Sequence, residues 1–428
     1  MKYIIENSTL SPVIKVASQI KKPASKIVLT LGAKDEGDKV LCSLRITTDA
    51  EQEIYNFLAK KPEDWDGTAI VTSIDAANMC SVVESVLSFN EDVYIELSGT
   101  ILEIGILGKV KTSLPIESQI PEEIKPLKFF YRFEIAGREL LSLLNKGCAF
   151  CNEVVDTRGL HNAVLKLLPQ TDEIKAYSTD SHIVGSTKVK ASFTKSATDD
   201  KKQALIDAMD AAITDYCNSH PEQDKDCFNV IIPREAVMHL ARFVADDMKV
   251  TVLVDARFMH VIIGRFVYSI KQAGTTIVSF DKFYQSFMSE QNAKVCTDVQ
   301  ALRNAISFIN KNNAISGQDN IPIKISIKEG EVLIAKSGIE DKIESSIKTS
   351  EIKGEQFVSF DGKKVEAALS SLNKGNVVLY AGENHIAFFN GTIEEPDLNS
   401  FVFILQVRIQ RLDETKDEEN ETVEESAE

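Results

Sequence analysis

One pattern occurs three times along this chain, and no other feature limits its fold as strongly. The segments that close each third show it. The first runs from Thr68 to Ile106 and contains TAIVTSIDAANMCSVVESV, then DVYIELSGTILEIGI. The second runs from Asn229 to Gly264, with NVIIPREAVMHLARFV and KVTVLVDARFMHVIIG. The third runs from Gln356 to Gly391, with QFVSFDGKKVEAALSSL and NVVLYAGENHIAFFNG. Each begins as a short β-branched or aromatic strand. Each continues as a helix with apolar residues at three- and four-residue steps, such as Val237, Leu240, Ala241 and Val244. Each closes as a hairpin with its turn at Ser98-Gly99, Asp255-Ala256 or Gly382-Glu383.

The opening segments match as well. Tyr3-Ile4-Ile5 leads into SPVIKVASQI, Phe133-Glu134-Ile135 into RELLSLLNKG, and Lys294-Val295-Cys296 into DVQALRNAISFIN. Alternating strands follow, such as KIVLTLGAK with KVLCSLRITT, and PIKISIKEG with EVLIAKSG. Each third is thus a doubled strand–helix–strands unit. Two helices on one face of an antiparallel sheet make a two-layer α+β domain. Three in tandem make an array. The pattern predicts domains over 1–125, 126–288 and 289–411. Two segments break it. Residues 192–228 read as an insertion on a surface loop of the second domain, with a helical stretch from Gln203 to Cys217. Residues 412–428 are acidic and nearly free of bulky apolar side chains, as disordered tails are.

Composition narrows the class. The 428 residues are 43% hydrophobic and 26% charged, a balance that supplies globular cores. No stretch approaches the ~20 apolar residues of a membrane span. The start, MKYIIENSTLSPVIK, lacks the apolar run of a secretory signal. Seven scattered cysteines do not form a disulfide framework, so a cytoplasmic location is expected. A net charge of −16 argues against coating nucleic acid, unless the cations gather on one face of an otherwise acidic protein.

Candidate chemistry is sparse. Cys148 and Cys151 form a lone C-x-x-C without a second pair or histidines at zinc spacing. Asp180, His182 and His161 suggest a metal-dependent hydrolase. Yet no glutamate–histidine spacing, nucleophile elbow or phosphate-binding glycine loop accompanies them. No catalysis, cofactor or metal is expected. A further alternative is a tandem-domain scaffold that binds proteins and never touches DNA.

Three local sequences resemble the bacterial β sliding clamps, the processivity subunit of DNA polymerase III. Tyr177–Val184 (YSTDSHIV) stands where the family carries A-T-D-G/S-H-R-L-A. Val230–Glu235 (VIIPRE) stands for V-I-V-P-R-K, and Phe401–Ile409 (FVFILQVRI) for the final strand Y-V-V-M-P-M-R-L. The resemblance implies a homodimeric head-to-tail ring around double-stranded DNA, gripped without sequence preference. DNA polymerase and clamp loader would dock through short peptide motifs.

Phosphate contacts need Lys and Arg on the helices facing the hole. The chain offers Lys15, Lys21, Lys22, Arg138, Lys146, Arg234, Arg242, Arg303, Lys311, Lys363, Lys364 and Lys374, while the helix around IDAANMCSVVESV offers none. The family's peptide pocket maps onto Arg158, Thr179, Ser181, His182, Ile183, Val184 and Val278, and onto Phe403, Ile404, Leu405, Val407 and Arg408. Here Ile183 replaces a family arginine, and Val278 and Gln406 replace prolines, so the resemblance implies an altered peptide preference. The ring interface maps onto Thr112, Leu114, Ser307 and Phe308, two of them polar.

Overall fold

A computed structural model describes residues 1–17, 26–48, 50–117, 119–125, 127–155, 158–197, 199–274, 284–285, 288, 292–315, 322–336, 343–349 and 351–405. For residues 12, 13, 15–17 and 313–315 it describes the backbone alone. The chain forms two compact units.

The first unit comprises Met1–Leu141, Leu167–Glu173 and Lys190–Ala273. It is built on one sheet of 13 strands, antiparallel throughout its recorded pairings. Helices Asn7–Ala17 and Ala76–Leu87 pack against each other and onto its first-third strands. The second of these forms because Met79, Cys80, Val83 and Val86 fall on one face and are buried. Its start is fixed by Asp75, which ends the preceding strand and accepts a hydrogen bond from Asn78 N at 2.9 Å. Tyr3, Ile14, Phe57 and Ile95 lie in the same core.

Strand Glu51–Lys60 joins the parts of this sheet. One edge pairs with Lys39–Thr47. The other edge pairs with Phe266–Lys271 over Glu51–Tyr55, and with Lys2–Ile5 at Lys60. Tyr55 stacks on Phe266 at 4.6 Å. The buried Glu53 accepts from Tyr55 Oη at 2.7 Å and faces His239 Nε2 at 2.7 Å.

The segment 192–228 is more deeply built in than a surface loop. It begins as strand Ser192–Phe193, which joins the main sheet opposite Phe133 and Glu134. Its helix is Asp200–Ser219, longer at both ends than the expected Gln203–Cys217; Asp199 caps its start through Lys201 N and Lys202 N. The helix buries Met209 and Ile213 and packs against strand Phe129–Ala136, with Tyr216 on Phe130 at 4.9 Å.

The second unit comprises Ser142–Lys166, Ile174–Val189 and Gly274–Glu428. Its main sheet runs in the order Asn162–Leu168, Glu173–Thr179, Ile183–Lys190, Pro396–Leu405, His385–Gly391, Asn376–Ala381, Ala293–Asp298 and Ile352–Lys353. A four-stranded sheet is formed by Glu344–Lys348, Glu331–Lys336, Ile323–Lys328 and Gln356–Phe360. Helices Val299–Ile315 and Gly362–Ser371 pack together over Leu302, Ile306, Val365 and Leu369. Asp298 and Asp361 cap these helices as Asp75 caps its own. The same strand-to-helix device thus recurs, as the repeat predicts.

The middle third departs from that regularity. Helix Gly137–Ser142 runs into a π-helical turn, Leu143–Gly147. The turn lies directly on strand Ile183–Lys190. A Cβ on Gly185 would meet the Phe150 ring at 2.3 Å and Lys146 O at 2.6 Å, so only glycine fits there. Phe150 N donates to Ser178 Oγ at 2.9 Å, and Ser178 Oγ donates to Gly147 O at 2.8 Å.

Candidate functional site

Strand Pro396–Leu405 pairs with Ile183–Lys190 in the register Ile183↔Ile404, Val184↔Phe403, Gly185↔Val402. Successive residues face opposite sides of the sheet. Ile183, Val402 and Ile404 enter the core around Val295, Ile306 and Leu379. Phe401 and Phe403 enter a second cluster with Tyr380 and Phe389, against which Val184, Tyr284 and Met288 pack. Both faces of this strand are covered. Ile183, Phe403 and Ile404 are therefore 3%, 1% and 1% exposed and lie in the core.

The residues left accessible are Thr179, Ser181, His182, Val184 and Leu405. They surround the turn between Glu173–Thr179 and Ile183–Lys190. Ser181 N donates to Thr179 Oγ1 at 3.0 Å, and Leu405 N donates to His182 O at 2.8 Å. Ser181 has φ +81°, a left-handed conformation uncommon for a residue with a side chain. Asp180 fixes the turn. Its Oδ1 accepts from His182 N at 2.8 Å and Ile183 N at 2.9 Å, and its Oδ2 binds Lys364 Nζ. Burial alone would raise the Asp180 carboxyl, but these donors outweigh it and hold it below the usual carboxylate range. Arg158 is exposed on the turn before Asn162–Leu168. Val278, Val407 and Arg408 lie outside the described residues.

The candidate phosphate contacts divide by environment. In the first unit, Arg138 has 74% of its side chain exposed beside Glu139, Arg234 opens helix Arg234–Leu240, and Arg242 is exposed in the turn after it. The solvent side of helix Ala76–Leu87 carries Asn78, Ser81, Glu84 and Ser85 and no cation. In the second unit, Lys311, Lys363 and Lys374 are exposed, and Arg303 Nη2 donates to Ser370 Oγ at 3.3 Å. Lys146 Nζ donates to Asn373 Oδ1 at 3.0 Å. Lys364 Nζ binds the Asp180 carboxylate, and the Lys364 side chain is 25% exposed. Lys21, Lys22 and the side chain of Lys15 lie outside the described residues.

Of the expected interface residues, Phe308 is 51% exposed, and Thr112 and Ser307 are half-buried. Leu114 is 7% exposed in the first core, because alternate residues of strand Val110–Pro115 face inward. That strand ends the 13-stranded sheet, and Glu344–Lys348 ends the four-stranded one.

Sequence reading missed one polar cluster in the first unit. His260 Nε2 lies 3.1 Å from Asp255 Oδ2, and His260 Nδ1 lies 2.8 Å from Ser269 Oγ. The order is that of a hydrolytic triad. The three residues are 0%, 4% and 2% exposed (Asp255, His260, Ser269), so no substrate reaches the hydroxyl. Asp255 instead serves as a latch, accepting also from the backbone N–H of Leu127, Arg257 and Phe258. Only the cross-strand register, His260 opposite Ser269, could have revealed it.

Burial would raise the Asp255 carboxyl, but the His260 hydrogen bond and the three N–H donors hold it below the ordinary range. A folded-state value below the unfolded one stabilises the protein above the ordinary carboxylate range, and the contribution disappears as pH falls through the folded value. Asp255→Asn should therefore lower stability by about 1–3 kcal/mol at neutral pH. It should also flatten the acid limb in urea titrations run from about pH 5 down to about pH 2, below the ordinary aspartate value of about 4. Parallel pH profiles for variant and parent would refute the latch.

Burial pushes the Cys148 thiol well above its usual value, and Cys151 is buried beside it, which suits neither redox nor metal chemistry. Among the described residues, no group of three or more His, Cys, Asp or Glu is placed to hold a metal ion. No helix among them is long and apolar enough to cross a membrane.

By sequence, no family model and no curated protein matches the chain. By structure, nearly the whole chain has counterparts. The DNA polymerase III subunit beta of Pseudomonas aeruginosa superposes with TM-score 0.75 at 14% identity, over 95% of this chain and 100% of that one. The Bacillus subtilis polymerase sliding clamp gives 0.74 at 17% identity, over 96% and 100%. The Helicobacter pylori beta clamp bound to a DNA ligase peptide gives 0.72 at 12% identity, over 95% and 99%. The fold is thus the α+β fold of the bacterial sliding clamps, with the expected class and tandem order. At these identities the likeness defines the fold and leaves function to the site.

Proposed function

We propose that this chain is a DNA sliding clamp: a non-catalytic processivity factor of DNA replication that encircles duplex DNA and tethers a DNA polymerase, a clamp loader and other proteins bearing short peptide motifs. The observation that carries this reading is the likeness to bacterial clamps along nearly the whole of both chains. The domains are those over 1–125, 126–288 and 289–411. The absence of chemistry follows from the same reading, and a soluble cytoplasmic setting suits it.

The peptide cleft is the accessible rim of Thr179, Ser181, His182, Val184 and Leu405, with Arg158 beside it. A DNA ligase peptide is what the Helicobacter pylori clamp is shown bound to. Duplex DNA is held by Arg138, Arg234, Arg242, Arg303, Lys311, Lys363 and Lys146, which contact phosphates and read no sequence. The ring closes head to tail between two copies. The open edges Val110–Pro115 and Glu344–Lys348 support this, since exposed strand edges recruit further strands. Phe308 supplies an exposed apolar anchor.

The test is mass in solution across concentration, combined with retention on nicked circular and linear DNA. A ring gives twice the 47.4 kDa chain mass at high concentration, stays on circles and runs off linear ends. Equal loss from both DNA forms would refute the clamp and favour a protein scaffold.

A further inference from the structure

We infer that Lys364 is a positioning residue for the peptide cleft, acting through Asp180, and not a contact to DNA phosphate. This rests on the cleft proposed above. Neighbouring residues on a helix point about 100° apart. Lys363 accordingly faces solvent, while Lys364 turns inward to the Asp180 carboxylate. The side chains of Lys364 and Asp180 are 25% and 24% exposed. An ammonium committed to a partly buried carboxylate is not free to displace counterions from a phosphate.

The geometry gives Lys364 a different task. Asp180 divides its two oxygens, Oδ2 for Lys364 and Oδ1 for His182 N and Ile183 N. Between these anchors Ser181 is held at φ +81°, which persists only when the surroundings enforce it. The same turn presents His182 O to Leu405 N at 2.8 Å, fixing the far rim of the cleft. The connection runs from helix Gly362–Ser371 through one ion pair to both rims. Without Lys364, Asp180 is a partly buried charge lacking its cation, and the turn loses its tether to that helix.

The experiment uses the full chain and two readouts. One is the affinity for a labelled synthetic copy of the DNA ligase peptide seen on the Helicobacter pylori clamp. The other is the salt dependence of retention on nicked circular DNA. Lys364→Met and Asp180→Asn should each weaken the peptide about tenfold, with the double variant no weaker than the worse single, as coupled residues behave. Lys364→Arg should restore most of the affinity. The slope of retention against salt should not change in Lys364→Met. The inference is overturned if Lys364→Met keeps peptide affinity while the salt slope falls by about one per chain. It is also overturned if Lys364→Arg loses as much affinity as Lys364→Met, since bulk structure and not the ion pair would then be at work. A parent protein that stays on circular DNA but ignores the peptide overturns the cleft and this inference together. A parent that binds the peptide as tightly as all the variants overturns this inference alone.

Discussion

Phe403→Ala lowers the unfolding free energy by about 3–5 kcal/mol, read from urea denaturation of the full chain. The ring is 1% exposed and lies 5.0 Å from Phe401 and 6.1 Å from Tyr284, so its removal leaves a cavity in an aromatic cluster on a central strand. Leu405→Ala, two residues on, is only half-buried and should change stability far less while weakening peptide binding. If Phe403→Ala reduced peptide affinity with stability intact, Phe403 would be a cleft wall after all. The contrast separates core from cleft within one strand, which deletion of the whole strand could not do.

Reversing Arg234 and Arg242 together to glutamate should shorten retention on circular DNA and reduce its salt dependence. Each lost phosphate contact removes roughly 0.9 from the slope of log affinity against log salt, so the change is about 2 per chain. These two arginines matter more here than charge counting suggests. The solvent side of helix Ala76–Leu87 has no cation to share the load, and Lys364 is engaged elsewhere. Retention lines for variant and parent that run parallel across a salt series would remove both residues from the DNA surface.

The architecture was legible because it is written in local signals. Asp75, Asp298 and Asp361 each end a strand or precede a helix and cap it, and the apolar spacing after them sets the buried face. The cleft was legible only in outline. The resemblance maps the pocket onto Phe403 and Ile404, whereas alternation along Phe401–Leu405 shows that two faces exist but not that both are covered. Leu114, which the resemblance maps to the ring interface, is 7% exposed on an edge strand, and no local signal reports that burial. The decisive polar contacts are long-range: Lys364 meets Asp180 across 184 positions, and no periodicity reports such a pair. Asp255, His260 and Ser269 needed the cross-strand register.

The position of strand Pro396–Leu405 also sets the order in which the chain matures. It sits between Ile183–Lys190 on one side and His385–Gly391 on the other, and it is the last described strand in the sequence. During synthesis, the sheet segment from the middle third therefore waits with an open edge until more than two hundred further residues have been made. Its edge hydrogen-bonding groups, and Val164 and Tyr177 that later join the aromatic cluster, stay uncovered for that interval. The second unit thus completes its sheet only once Pro396–Leu405 has emerged, and a chain truncated before Pro396 should leave the edge of Ile183–Lys190 unpaired and prone to aggregation.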